Sequence, residues 1–168
     1  MEKKILVIVS VLGGLVFGVF FTGLALNISS EKMMLMEIKS PYEFEKTVEV
    51  ISNRINNREG WKVTNIIDQN KAIVDGGAPS IGKYVIIKYC SAKYSSEMLQ
   101  GDNTKKIGVM MPKSFAVYEK STGQVYISTA NGGVMGKMFG SEAAKVLEKV
   151  SLEVEGIMSF VNLKFNVF

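Results

Sequence analysis

The chain opens with a long uncharged stretch, and its hydrophobic and polar positions alternate only after that stretch ends. Ile5–Leu26 carries no charge, and its only polar side chains are Ser10 and Thr22. At about 1.5 Å per residue, a helix of this length reaches about 33 Å, enough to cross a hydrocarbon core of about 30 Å. The pattern predicts a transmembrane anchor over residues 1–28.

A cleaved signal peptide is the alternative interpretation of this stretch. The hydrophobic region of a signal peptide spans about 7–15 residues, which is shorter than the run observed here. A peptidase could still act at Gly23-Leu24-Ala25. The length of the run favours an anchor that is retained.

The charges on either side of the anchor predict its orientation. Lys3 and Lys4 precede it, whereas Glu31 and Lys32 follow it and cancel each other. Positive residues accumulate on the cytoplasmic side of a membrane helix. We therefore expect a single-pass protein of the cell membrane, with a cytoplasmic N-terminus and an extracytoplasmic domain.

Small residues recur along one side of the anchor. Ser10, Gly14, Gly18 and Thr22 follow one another at every fourth position, so they stack on one helix face. Small side chains let the backbone of a second membrane helix approach closely. We expect a packing face here, and its partner is either a second copy of the chain or another membrane subunit.

Beyond the anchor, the pattern predicts a domain over 29–161 and a short tail over 162–168. Ser40-Pro41-Tyr42-Glu43 predicts a helix start, with an N-cap serine, a proline at the first helical position and the glutamate of a capping box. An apolar stripe follows at helical spacing, and Gly60 is placed to end the helix.

The other elements follow from alternation, β-branched residues and turn residues. Two further helices are expected, over Ser95–Gln100 and Ser141–Val161. Residues 120–123 predict a hairpin turn. The predicted order is β-α-β-β-α-β-β-α, an α+β fold with a single mostly antiparallel sheet and helices packed on one face. The predicted strands are Leu35–Lys39, Trp61–Asp68, Tyr84–Cys90, Ile107–Glu119 and Gln124–Ala130.

The composition of the chain excludes several common kinds of catalytic and metal site. The chain has 168 residues, no histidine, one cysteine and a formal net charge of +4. The missing histidine removes the usual zinc ligands, Ser-His-Asp catalysis and the commonest general base. The charge is too small to indicate a nucleic acid partner. The methionines, among them Met33, Met34 and Met36, are more typical of flexible packing than of a copper site, so we expect no metal and no cofactor.

Three stretches could carry a site. Cys90 and Ser91 lie at a strand end before a short helix, where a thiolate would be stabilised. Asn131-Gly132-Gly133 follows another strand, and its backbone N–H groups could meet an anion; the alternative is a strand-to-helix turn that requires glycine. Residues 77–83 fit the spacing of a phosphate-binding loop, but Tyr84 and a strand follow, so we expect a hairpin loop.

Several motifs resemble the uncharacterised domain-of-unknown-function family 302. Residues 40–48, Ser-Pro-Tyr-Glu-Phe-Glu-Lys-Thr-Val, resemble the "SPYSFEETV" of that family. Cys90 with Leu99 nine positions later resembles its strand-end cysteine and helix. Met110-Met111-Pro112 resembles its Leu-Leu-Pro motif, and residues 131–140 resemble an "NTGLMGKMFG" segment.

The resemblance spans about Met36 to Val161 and implies a compact α+β domain, often dimeric, with no established activity. Many members carry a second cysteine after the Leu-Leu-Pro motif, where this chain has Lys113. The candidate ligand or thiol site comprises Cys90, Ser91, Pro112, Asn131, Gly132 and Gly133.

Two functions are consistent with these observations. The first is a non-enzymatic, membrane-anchored, extracytoplasmic binding or interaction module, such as an accessory subunit of a membrane complex. The second is a thiol-dependent redox or small-ligand-processing protein that uses Cys90. The missing histidine and second cysteine favour the first.

Overall fold

The computed structural model describes the backbone of residues 2–165 and the side chains of 3–23, 34–140 and 142–165. The chain divides into two compact units, residues 1–34 and 35–168. The first unit is one helix, α1 (Glu2–Met34), with a 21-residue segment, Lys3–Gly23, that is long and apolar enough to cross a membrane. The helix passes the predicted end at residue 28 because no glycine or proline follows Gly23 before Met34.

The second unit is an α+β domain, which confirms the predicted fold class. Its single sheet has five strands in the order β1-β5-β4-β3-β2, and every neighbouring pair is antiparallel. Along the chain the elements are β1 (Leu35–Lys39), α2 (Phe44–Asn56), β2 (Trp61–Asp68), α3 (Gln69–Asp75), β3 (Tyr84–Ser91), α4 (Ala92–Leu99), β4 (Lys113–Glu119), β5 (Val125–Ala130), α5 (Gly132–Met138) and α6 (Ser141–Ile157). Short 3-10 helices occupy Lys105–Met110 and Ser159–Val161.

The connection between the two edge strands, β1 and β2, explains why helices cover one face of the sheet. β1 and β2 lie on opposite edges, so α2 has to cross the sheet to join them. Its apolar stripe is buried against the sheet, and Ile51 and Ile55 have no exposed surface. The buried face of α6, including Val150 and Val154, belongs to the same core. One face of the sheet is therefore covered by helices.

Side-chain alternation separates this covered face from the opposite one. Along β4, Phe115 and Val117 are fully buried, while Ala116 between them and Tyr118 after them are only half-buried. The same alternation runs along β3 and β5. The strand residues of the covered face supply the sheet side of the core.

Four local predictions need correction. Ser40 does not cap α2, because Glu43 takes the N-cap position. The Ser40 hydroxyl instead accepts a hydrogen bond from the Tyr42 N–H, which forms a turn before the helix. The same hydroxyl lies 2.6 Å from the Thr47 hydroxyl. Gly60 has a φ of +75° as predicted, but it lies in the turn before β2 and not at the end of the helix, because α2 ends at Asn56.

The other two corrections concern an expected strand and an expected helix. The strand predicted from Ile107 begins only at Lys113, because Pro112 has no N–H for a ladder and the residues before Met111 form a 3-10 helix. The helix predicted to Val161 ends at Ile157, and a 3-10 turn follows. The tail prediction lies partly outside the described residues, which end at 165.

Candidate functional site

A cavity lies at one end of the sheet, where β3 and β5 end and β4 begins. Its volume is about 410 Å³, within the range of about 300–1,000 Å³ that is usual for small-molecule sites. Side chains from both faces of the sheet and from α4, α5 and α6 line it, and most of them are apolar. The flexible part of the lining is formed by Met98, Met110, Met111 and Met135.

Four of the six predicted site residues line this one cavity. Cys90 and Ser91 come from the end of β3, Pro112 precedes β4, and Gly132 opens α5. The sulfur of Cys90 lies 2.9 Å from the Ser95 hydroxyl. The structure thus brings together residues that are up to 42 positions apart in sequence, counted from 90 to 132.

Asn131 and Gly133 are not among the residues that line the cavity. The Asn131 side-chain oxygen accepts a hydrogen bond of 3.3 Å from the Val134 N–H and caps α5. Asn131 and Gly133 are both buried. Their observed role is that of a strand-to-helix turn, the alternative recognised in the sequence.

Lys113 is the charged residue that the covered face brings to the cavity. It is the first residue of β4 and lies opposite Tyr89 of β3. Its amine lies 5.7 Å from the centre of the Phe165 ring. Removal from water lowers the pKa of Lys113 to about 8.

Gly132 is required sterically beside this lysine. A Cβ atom at position 132 would lie 2.8 Å from the Lys113 amine and 2.8 Å from the Ser151 hydroxyl. Both distances are shorter than real Cβ contacts, so a larger residue would displace the amine. The glycine therefore allows the backbone to approach the two polar groups closely.

Tyr89 also lines the cavity, although its side chain is fully buried. Its ring stacks on Phe115 with centroids 4.8 Å apart. Its hydroxyl has no hydrogen-bond partner in the described part of the chain. Burial raises the pKa of Tyr89 well above its usual value, so the hydroxyl remains a donor.

Sequence reasoning did not include Lys113 and Tyr89 in the site. In the sequence, Lys113 was identified only as the residue that replaces a cysteine of the family, and Tyr89 was identified only as part of a strand. A usable signal did exist: a lysine two residues before Phe115 shares its face, so it enters the core side of the sheet.

The loop with phosphate-loop spacing lies outside this site. Gly77 and Gly82 have φ values of +84° and +83°, and β3 begins at Tyr84 as the hairpin-loop prediction required. The lysine of the motif, Lys83, pairs with Glu45 at 2.8 Å. No helix begins after this lysine to hold a phosphate.

Comparison with known proteins identifies the family. Residues 36–161 match the model of the domain of unknown function DUF302, so the chain belongs to that family. The crystal structure of the uncharacterized conserved protein DUF302 from Bacillus stearothermophilus is similar, with a TM-score of 0.66, 15% identity, and coverage of 77% of this chain and 98% of that one. At this identity the likeness shows the fold alone. A comparison with curated proteins found no match.

Proposed function

We propose that the protein is a membrane-anchored, extracytoplasmic binding module whose domain takes a small apolar ligand. The observation that carries the proposal is the cavity of about 410 Å³ at the end of the sheet. Its lining is mainly apolar, with a few polar side chains, which is the usual composition of a small-molecule site. The methionines in the lining can adapt to ligands of different shape.

Binding without catalysis fits the groups that surround the cavity. The sequence has no histidine to act as a general base at neutral pH. The cavity holds one thiol, Cys90, and the chain has no second cysteine to resolve an oxidised form. These residues are better suited to enclosing a ligand than to transforming it.

The proposal is tested by blocking the cavity. Met135 of α5 lines it, whereas Met138 of the same helix does not and is 65% exposed. Full-length protein in phosphatidylcholine nanodiscs is dialysed against labelled 1-octanol, with protein-free nanodiscs as the baseline. We expect Met135→Trp to reduce protein-dependent binding at least tenfold and Met138→Trp to leave it within twofold. Equal binding by the wild type and Met135→Trp would contradict the proposal.

The proposed location rests on α1 and on the lysines before its apolar segment. Lys3 and Lys4 precede the segment, which favours a cytoplasmic N-terminus. Protease added to intact cells, or to spheroplasts where there is an outer membrane, should digest the C-terminal domain. Digestion only after lysis would reverse the topology.

The small-residue face of α1 supports assembly with a second copy or with other membrane subunits. Among the described residues, nothing lies within 4 Å of a Cβ atom built at Gly14 or Gly18, which leaves room at these two positions for another helix. Gly14→Ile with Gly18→Ile should release the protein from its partner in mild detergent. The matched change at Leu15 and Val19, about 100° further round the helix, should not.

A thiol-dependent function of Cys90 is the second candidate. The contact of its sulfur with the Ser95 hydroxyl at 2.9 Å and its place in the cavity wall favour this alternative. The rate at which iodoacetamide labels Cys90 near pH 6 separates this function from binding alone.

A further inference from the structure

Lys113 introduces a positive charge into a cavity that is otherwise mostly apolar. Its amine lies beside Gly132, as the Ser151 hydroxyl does, and over the Phe165 ring. In the described part of the chain, no carboxylate forms an ion pair with it. An ammonium that is half-buried and has no counter-ion is costly, and a bound anion would remove much of that cost.

The polar groups near Lys113 do not balance its charge. The Ser151 hydroxyl is neutral and donates to the Leu147 carbonyl at 2.7 Å. The Tyr89 hydroxyl, on the residue directly opposite Lys113, is buried and lacks a partner within the described residues. An ammonium without a counter-ion and a hydroxyl without a partner are both complementary to a carboxylate.

A second lysine also lines the cavity, but its surroundings differ. Lys88 lies on the opposite face of the sheet from Lys113, because it alternates with Tyr89 along β3. Its amine is 3.4 Å from the Ser114 hydroxyl, which accepts a hydrogen bond from it. Lys88 therefore has a hydrogen-bond partner and serves as the comparison for Lys113.

We propose that the cavity binds an amphiphile with a short aliphatic body and a single carboxylate, and that Lys113 holds the carboxylate. This inference rests on the proposed function and specifies the ligand class. The aliphatic body packs against the methionines of the lining, and the carboxylate accepts hydrogen bonds from Lys113 and Tyr89. A single negative charge matches one ammonium, whereas a dianion such as a phosphate monoester would leave a charge uncompensated in apolar surroundings.

The chain contains its own reporter for the experiment. Trp61 is the only tryptophan, and it lines the cavity. Full-length protein in phosphatidylcholine nanodiscs is titrated with octanoate and with 1-octanol, and Trp61 emission is followed. We expect the wild type to bind octanoate at least tenfold more tightly than 1-octanol, as a charge-assisted hydrogen bond predicts.

Two matched variants assign the effect to one lysine. Lys113→Met should reduce the preference for octanoate to within twofold while 1-octanol still binds, which also shows that the variant is folded. Lys88→Met removes the same charge from the other face and should keep the preference at tenfold or more. Loss of the preference in Lys88→Met but not in Lys113→Met would overturn the assignment.

The outcomes separate the two proposals. Equal affinity of the wild type for octanoate and 1-octanol would overturn the carboxylate proposal and leave the apolar binding function standing. Failure of both compounds to bind would overturn the proposed function and this inference with it.

Discussion

The two faces of the sheet use the same residue types in opposite ways. The face opposite the covered one is called the open face, and on it three tyrosines stack across adjacent strands. The distance between ring centroids is 5.3 Å for Tyr84 and Tyr118 and 6.3 Å for Tyr118 and Tyr126. Their rings are half-buried. On the covered face, Tyr89 is fully buried and stacks on Phe115 at 4.8 Å. The same aromatic side chain is thus a surface residue on one face and a core residue on the other.

The polar groups of the two faces differ more than the apolar ones. On the open face, Glu37 accepts hydrogen bonds from Lys120 and Tyr118. Both bonds hold the pKa of Glu37 below its usual value, and the bond from Lys120 has the larger effect. On the covered face, Lys113 and Tyr89 have no such acceptor among the described residues. A lysine and a tyrosine with a carboxylate form a structural network, while the same pair without one forms a candidate binding site.

The largest effect that tests this comparison is the loss of a core ring. Phe115→Ala should lower the free energy of unfolding by about 3–5 kcal/mol, because it leaves a cavity under α2 and α6. Tyr84→Ala on the open face should cost about 1 kcal/mol, the value of one aromatic pair. Urea unfolding of both variants in detergent micelles measures the difference. Equal losses would show that the open face is covered in solution.

The second effect concerns the charge of Lys113. Its pKa is lowered to about 8 in the folded protein from 10.5, so between these values the unfolded chain holds a proton that the folded one has released. The stability of the wild type therefore rises as the pH passes from about 8 to 10.5, and below pH 8 the full desolvation penalty of the charge applies. Its neighbour Tyr89 stays neutral there, since burial raises its pKa well above the usual value.

Lys113→Met removes this penalty. The variant should be more stable than the wild type by roughly 1–3 kcal/mol at pH 7, and the gain should disappear by about pH 10.5. Urea unfolding at pH 7, 9 and 10.5 measures it, with Lys88→Met as the control that should differ from the wild type by less than about 0.5 kcal/mol. A loss of stability in Lys113→Met at pH 7 would show that the amine has a partner in the folded protein.

The parts of the fold that sequence could predict are those with a regular apolar pattern. The α2 stripe and the strands of the sheet were predictable because burial on one side repeats every 3.6 or 2 residues. The helix α3 was missed because none of its residues is buried; only the local bond from the Lys71 N–H to the Asp68 side chain, 2.8 Å long, marks its start. The strand start before β4 was misplaced because an apolar run outweighed Pro112.

Sequence motifs indicated four residues that line the cavity, but they did not indicate the charged residue, Lys113. Cys90, Ser91 and Gly132 lie at recognisable strand ends, Pro112 belongs to a motif shared with the family, and all four line the cavity. The environment of Lys113 depends instead on its proximity to residues 132 and 165, far along the chain. A pattern of local periodicity contains no information about those contacts.

The smallest expected effect belongs to Cys90, which lies on the open face and yet lines the cavity. Its side chain is half-buried and its sulfur contacts Ser95 alone among hydrogen-bonding groups in the described residues, so Cys90→Ala should cost about 1 kcal/mol and leave 1-octanol binding within twofold. Ser95→Ala, which removes the same contact from the other side, should lower the free energy of unfolding by a similar amount.

Iodoacetamide should label the folded wild type slowly near pH 6, and bound octanoate should slow the labelling further because the sulfur forms part of the cavity wall. Rapid labelling near pH 6 that Ser95→Ala suppresses would instead identify an activated thiol, and the cavity would then be the place where that thiol meets its substrate.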